Sequence, residues 1–308
     1  MTHTDTDTDP TTTRRAALGG AAALAAAALA TGLPAAAHAA DTRRSEARRP
    51  GRGPRIGVVL YDGFSLLDPT GPVEVLSRLP GAEITMVAER RGPVRTDTGH
   101  TAVVADRSFA ETGRLDVVLV PGAGNRGTVA AMENPAILRF LRRAHRRTRF
   151  TTSVCTGSLV LGAAGLLGTR ATTYWASKDY LQTTFGVTYV PERYVHDGKV
   201  ITAAGVSAGV DMSLYLAALL TDELTARAVQ LAVEYDPRPP YDSGNAAEAD
   251  PELKELALRL LEESQRQHVD AAHPRAPRRA SGARRTPRHV RTSDTFKTPA
   301  RAGAIVDL

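Results

Sequence analysis

Cysteine is almost missing: the 308 residues hold one, Cys155. A lone cysteine excludes an internal disulfide framework and leaves the thiol either incidental or functional. Aromatic residues make up only 5% of the chain, and much of its 42% hydrophobic content is alanine and other small side chains. Beyond the N-terminal stretch no run could cross a bilayer. There are no internal repeats, no spacing of ligand residues suited to a metal, and no phosphate loop. Gly122, Gly124 and Gly127 match neither a dinucleotide fingerprint nor a Walker loop. What remains is enough chain for one sizeable domain or two small ones.

The ends of the chain separate from its middle by composition. Arg14 and Arg15 precede a weakly hydrophobic, alanine-rich run through Leu29 and Ala30, and Ala37-His38-Ala39 follows. A charged start, an apolar centre and an A-x-A end make a secretory leader. The paired arginines point to the twin-arginine export machinery as a partner. Residues 1–39 are therefore expected to be a leader cleaved near Ala39, with 40–54 a linker and the mature protein exported, without a retained membrane anchor. The net charge of +6 owes much to Arg275, Arg278, Arg279, Arg284, Arg285, Arg288 and Arg291. That proline-rich stretch has too little apolar surface to offset its ordering entropy, so 268–308 reads as a basic disordered tail. A solvated tail explains the charge without a nucleic-acid partner.

Between these ends, short apolar runs alternate with helical patterns. Ile56-Gly57-Val58-Val59-Leu60-Tyr61 is apolar on both faces, as a buried parallel strand requires, and Asp62-Gly63 breaks it. Helix signals begin at Pro69 and carry Val73, Val75, Leu76 and Leu79. Ala82–Ala88 reads as a strand, a hairpin-like stretch surrounds Gly92-Pro93 and Gly99, and Asp116–Val120 is a second buried strand ending at Pro121-Gly122. Asn134 caps a helix that opens with Pro135 and runs to about Arg147. Phe150–Val154 is a strand, Gly157–Ala164 a helix, and Asp197-Gly198 a hairpin turn. Ser207 starts a long apolar helix. Thr221 is expected to cap another, to Tyr235, with Leu224 as its first core residue, and a last helix spans about Pro251 to Gln267. Such alternation predicts one α/β domain, 55–267, with a mostly parallel sheet covered on both faces.

In open sheets of this kind ligands bind beyond the carboxyl ends of the strands. Asp68, Gly122 and Cys155 all fall at such ends. Around Cys155 a strand feeds a sharp turn and a helix begins at once, the elbow that exposes a nucleophile above a sheet. The helix N-terminus is expected to lower the thiol pKa below its ordinary ~8.5. Two plainer roles compete: Cys155 as a small core residue, and Asp68 as a helix N-cap ahead of Pro69.

The series Leu67-Asp68-Pro69-Thr70-Gly71-Pro72, Pro121-Gly122, Ser153-Val154-Cys155-Thr156-Gly157-Ser158, Arg170-Ala171-Thr172-Thr173 with Trp175, and Ser207-Ala208-Gly209-Val210-Asp211 resembles the ThiJ/PfpI superfamily, the class I glutamine amidotransferase-like proteins, from about Arg55 to Tyr241. Its nearest likeness is to the branch that hydrates isonitriles. The resemblance implies a flavodoxin-like three-layer sandwich, a homodimer, no metal or organic cofactor, and a small-molecule substrate. It also implies that Cys155 is the nucleophile, Asp68 the acid/base and Thr156 the residue that helps hold the site, with Gly71, Gly122, Ala123, Tyr174 and Trp175 around the pocket. Two positions depart from the pattern: Tyr174 stands where relatives have histidine, and Ala123 where they often have a second glycine.

Other branches fit less well. The peptidases place histidine after the cysteine, where this chain has Thr156, and the amidotransferases need a His-x-Glu pair that His196-Asp197-Gly198 does not supply. No helix-turn-helix units follow Tyr235. A redox or small-molecule sensor using an oxidisable Cys155, and a deglycase or glyoxalase-like enzyme acting on reactive carbonyls, remain as alternatives.

Overall fold

The computed structural model describes residues 52–272. The expected leader, most of the linker and the tail beyond residue 272 lie outside them.

Eleven strands and eight helices follow in order: β1 (Arg55–Val59), α1 (Leu67–Leu76), β2 (Glu83–Ala88), β3 (Gly92–Arg95), β4 (Ala102–Ala105), β5 (Arg107–Ser108), β6 (Val117–Val120), α2 (Asn125–Glu133), α3 (Pro135–His145), β7 (Phe150–Val154), α4 (Gly157–Ala163), β8 (Arg170–Ala171), α5 (Lys178–Phe185), β9 (Thr188–Tyr189), β10 (Tyr194–Asp197), β11 (Val200–Ala203), α6 (Ala208–Leu220), α7 (Glu223–Ala232) and α8 (Pro251–Ala272). The main sheet has the order β10-β11-β7-β6-β1-β2-β5. All of its pairings are parallel except the β10–β11 hairpin, which turns at Gly198 with φ 64°. The β3–β4 hairpin stands apart from it.

Period-2 alternation sorts the strand residues between two cores. From β1 and β6, Ile56, Val58, Val117 and Leu119 join Val75, Leu76, Met212 and Leu216 of α1 and α6. Val59, Val118 and Val120 point the other way, to Ile137, Phe140 and Leu141 of α3 and to Val160 and Leu161 of α4. The sheet is thus the middle of a three-layer sandwich, and its central strands β1 and β6 are apolar on both faces because both are covered. Burying each such side chain contributes about 1.5–3 kcal/mol. At the opposite end from the site, the Arg55 guanidinium grips Asp116 at 3.0 and 3.1 Å, and Asp116 also accepts the Arg55 N–H. Partial burial pushes the Asp116 carboxyl up, but Arg55 outweighs it and holds the group below its ordinary value.

Three local expectations need correction. Residues 125–133 form α2, although Asn125-Arg126-Gly127 reads as the end of the loop after Pro121-Gly122. Helix α7 is capped by Asp222, which accepts the Thr225 N–H, not by Thr221, and Leu224 is 76% exposed while Ala226 and Val229 are buried. Helix α8 runs to Ala272, five residues past its expected end at Gln267. Asn134 does cap α3, accepting from the Ala136 and Ile137 N–H groups.

Candidate active site

Strand order decides which loops meet. Chain from β1 leaves through α1 to β2 on one side, while β6 lies on the other side of β1. The crevice between β1 and β6 is therefore a topological switch point, where α/β sheets hold ligands. Asp68 follows β1, Gly122 follows β6, and Cys155 ends β7, the next strand over.

Cys155 is the elbow. Its φ is 57°, a left-handed conformation that non-glycine residues seldom take. Cross-bonding holds it there: its N–H donates to the Ala203 and Ala204 carbonyls at 3.1 and 2.7 Å. Its own carbonyl accepts from Ser158 Oγ at 3.2 Å and Thr173 Oγ1 at 3.3 Å. Such strain at a polar strand end persists only when the surroundings fix it, and it gathers at functional sites. The following Gly157 lets α4 start tight against β6, since a Cβ there would lie 2.3 Å from the Val120 carbonyl oxygen.

Asp68 does not cap its helix. The cap position is Leu66, with no side-chain bond to the helix. Instead Asp68 lies fully buried in the first turn of α1, and its Oδ2 accepts the Gly122 N–H at 2.7 Å. Its Oδ1 is buried with no partner. Gly122 is the hinge of the arrangement. A Cβ on it would meet Cys155 Cβ at 2.7 Å, the Thr156 N–H nitrogen at 2.7 Å and Asp68 Oδ2 at 2.8 Å. Only glycine admits carboxyl and thiol to the same spot.

The electrostatics follow from that closeness. Burial, opposed by the Gly122 N–H, pushes the Asp68 carboxyl up to about 7, and Asp97 adds to the rise. Burial first, and the Asp68 charge second, push the Cys155 thiol well above its usual range, against the lowering pull of the Thr156 N–H and hydroxyl. The expected lowering by the helix N-terminus is therefore outweighed here, because a buried cysteine beside a carboxyl loses more hydration than one short helix returns. The two groups titrate as a pair.

Around this pair, Thr156 Oγ1 accepts the Ala123 N–H at 3.0 Å and lies 2.8 Å from Thr128 Oγ1. Tyr61 donates to the Pro121 carbonyl at 2.6 Å. Sequence reasoning missed Thr128 because α2 itself went unseen, and missed Tyr61 and Asp97 because no motif marks them. At Gly71 a Cβ would touch Val210 and Leu67, so this glycine spaces α1 from α6. Tyr174 and Trp175, with rings 5.4 Å apart, line a cavity of about 1590 Å³ together with Leu67, Thr173 and Leu258. Burial and the Cys155 charge push the Tyr174 phenol up to about 12. His196 sits on the edge strand β10, its nitrogens engaged by the Tyr215 hydroxyl and the Gly198 carbonyl. Among the described residues no group of three or more His, Cys, Asp or Glu is placed to hold a metal ion.

A buried carboxyl in the first turn of the helix after β1 and an elbow cysteine after β7 define a class, and the family model agrees with it: residues 54–219 match the DJ-1/PfpI family, and the chain belongs to that family. Among curated proteins it is similar to the isonitrile hydratase of Pseudomonas putida, with 44% identity over 192 residues, 62% of this chain and 82% of that one. It is 37% identical to the HTH-type transcriptional regulator CdhR of Pseudomonas aeruginosa over 46% of this chain and 40% of that one. Among solved structures, a ThiJ/PfpI family protein from Pseudomonas syringae superposes with a TM-score of 0.65 at 35% identity, covering 76% of this chain and 96% of that one.

Proposed function

We propose that this chain is an isonitrile hydratase, adding water to R–N≡C to give an N-substituted formamide. The observation that carries the reading is the buried Asp68 carboxyl, with one oxygen free, set against the Cys155 thiol across Gly122. The 44% identity to an isonitrile hydratase supports the same substrate class.

The chemistry needs a soft nucleophile and one mobile proton at the same carbon. The pair holds both when it carries a single proton between sulfur and carboxyl. Thiolate attack forms the S–C bond, and the Asp68 proton passes to the isonitrile carbon, leaving a thioimidate, R–N=CH–S–Cys155. The Asp68 carboxylate then takes a proton from water as its oxygen adds to the same carbon. Asp68 passes that proton to the nitrogen, the C–S bond breaks as the hydroxyl proton returns to Asp68, and R–NH–CHO leaves with one proton again on the thiolate–carboxyl pair. The raised Asp68 pKa suits both directions of transfer near neutral pH. The Thr156 N–H, directed at the Cys155 sulfur, offsets negative charge there, while the Ala123 N–H is held by Thr156 Oγ1.

Incubation with cyclohexyl isocyanide in ¹⁸O-labelled water tests the reading. Formamide carrying the label supports it. No formamide from folded protein overturns it and favours reactive carbonyls or a sensing role for Cys155. The leader belongs to the proposal too, and N-terminal sequencing of exported protein should find its start near Ala40.

A further inference from the structure

We infer that Thr128 is a positioning residue whose hydroxyl directs the Thr156 proton onto the Cys155 sulfur. The inference rests on Cys155 being the nucleophile, and it assigns a role to a residue of α2 that no motif marks.

The argument is a count of protons and lone pairs. Thr156 Oγ1 has one proton and two lone pairs. Its hydrogen-bonded neighbours are the Ala123 N–H at 3.0 Å, the Ala123 carbonyl at 3.1 Å and Thr128 Oγ1 at 2.8 Å, and the thiol of the preceding residue, Cys155, is the further acceptor its proton can turn to. Thr128 Oγ1 in turn lies 3.0 Å from the same Ala123 carbonyl. Both threonines are buried, so bulk water does not complete the set. The Ala123 N–H fills one lone pair of Thr156, and two arrangements remain. In the first, Thr128 donates to the Ala123 carbonyl and Thr156 donates to Thr128, so the sulfur receives no hydroxyl proton. In the second, Thr128 swings its proton onto Thr156, fills the second lone pair, and frees the Thr156 proton for the sulfur. A neutral thiol suits the first and a thiolate the second, because hydrogen bonds to a charged acceptor are the stronger. Without the Thr128 hydroxyl, the Thr156 proton falls to the Ala123 carbonyl, which has no other hydroxyl donor.

The titratable groups that face the sulfur are Asp68 from α1, Asp97 from the β3–β4 turn, Tyr61 beyond β1 and Tyr174. A change at Thr128 leaves all four in place.

The test is the rate of Cys155 alkylation by iodoacetamide against pH, unambiguous because the chain has one cysteine. It is read in wild type, Thr128→Val, Thr128→Ser, Thr156→Val and the Thr128→Val/Thr156→Val double variant, with Thr128→Ala as a second hydroxyl-free variant should valine not fold. Removing the hydroxyl should raise the midpoint by about one unit, or about tenfold less thiolate at fixed pH. Thr128→Ser should restore the wild-type midpoint, and Thr128→Val should add nothing to Thr156→Val. An unmoved midpoint in folded Thr128→Val, a shift equally large in Thr128→Ser, or full additivity in the double variant overturns the inference. No isonitrile enters this assay, so failure to hydrate isonitriles would remove the proposed reaction and leave this result standing.

Discussion

Asp68 and Cys155 converge on one glycine: a Cβ at position 122 would lie 2.8 Å from Asp68 Oδ2 and 2.7 Å from Cys155 Cβ. The carboxyl and the thiol come from separate strand ends, yet the absence of a single methyl group lets them share a site.

Gly122→Ala should therefore break the pair. The wedge has no flexible side chain to displace, since Cys155 Cβ and the Thr156 backbone nitrogen stand at 2.7 Å. Overpacking of this kind costs about 1–3 kcal/mol. We expect a lower midpoint in urea melts and loss of nearly all turnover, and the activity loss should exceed what the unfolded fraction explains.

Asp68 should make the protein less stable as pH rises from about 4 to about 7. Its carboxyl is held protonated in the folded state up to about 7, whereas the unfolded chain gives up the proton near ~4. In that window the folded state binds the extra proton, so stability falls with pH, by a few kcal/mol in all, on the order of what so large a shift implies. The contribution is fully present below the unfolded value and gone above the folded one. Urea melts between pH 4 and 8 should show this slope in wild type and its loss in Asp68→Asn, which keeps an acceptor for the Gly122 N–H.

Thiol reactivity and hydration should move in opposite directions in Asp68→Asn. The Asp68 charge is the second cause, after burial, of the raised Cys155 thiol. Its removal should speed alkylation of Cys155 at pH 7–8 while abolishing proton delivery to the isonitrile carbon. Slower alkylation together with lost turnover would instead mean that the variant had deformed the elbow.

Leu224 and Phe140 should part company in denaturant melts. Leu224 is 76% exposed, so Leu224→Ala should change stability by less than about 0.5 kcal/mol. Phe140 is buried and stacks on Phe109 at 4.4 Å, so Phe140→Ala should cost about 3–5 kcal/mol.

The contrast at Leu224 shows where the amino-acid sequence is informative. Strands β1 and β6 are plain in it because they are apolar on both faces and stop at Asp62-Gly63 and Pro121-Gly122, while β7, with Thr151, Thr152 and Ser153 at its centre, is marked by its β-branched residues and by the turn at Cys155. The same strand ends carry the site, so Asp68, Gly122 and Cys155 were legible together. Helix α7 carries apolar residues on more than one face, so periodicity alone placed Leu224 inside when packing turned Ala226 and Val229 inward. Helix α2 begins in Asn125-Arg126-Gly127, which reads as loop, and becomes a helix through what it packs on: a Cβ on Gly127 would meet Ala123 and the Gly63 carbonyl within 3.1 Å. Thr128 was hidden with it. The rise of the Cys155 thiol was hidden for another reason: the depth of burial beside Asp68 is set by tertiary packing, while a strand-turn-helix pattern reports only the helix N-terminus.

Formamide production from cyclohexyl isocyanide by wild type, Cys155→Ala and Asp68→Asn, each checked for folding, tests the central claim most directly. We predict product from wild type and none above background from either variant. Product from folded Cys155→Ala, or turnover by Asp68→Asn at the wild-type rate, would contradict a shared proton between these two residues as the basis of the chemistry.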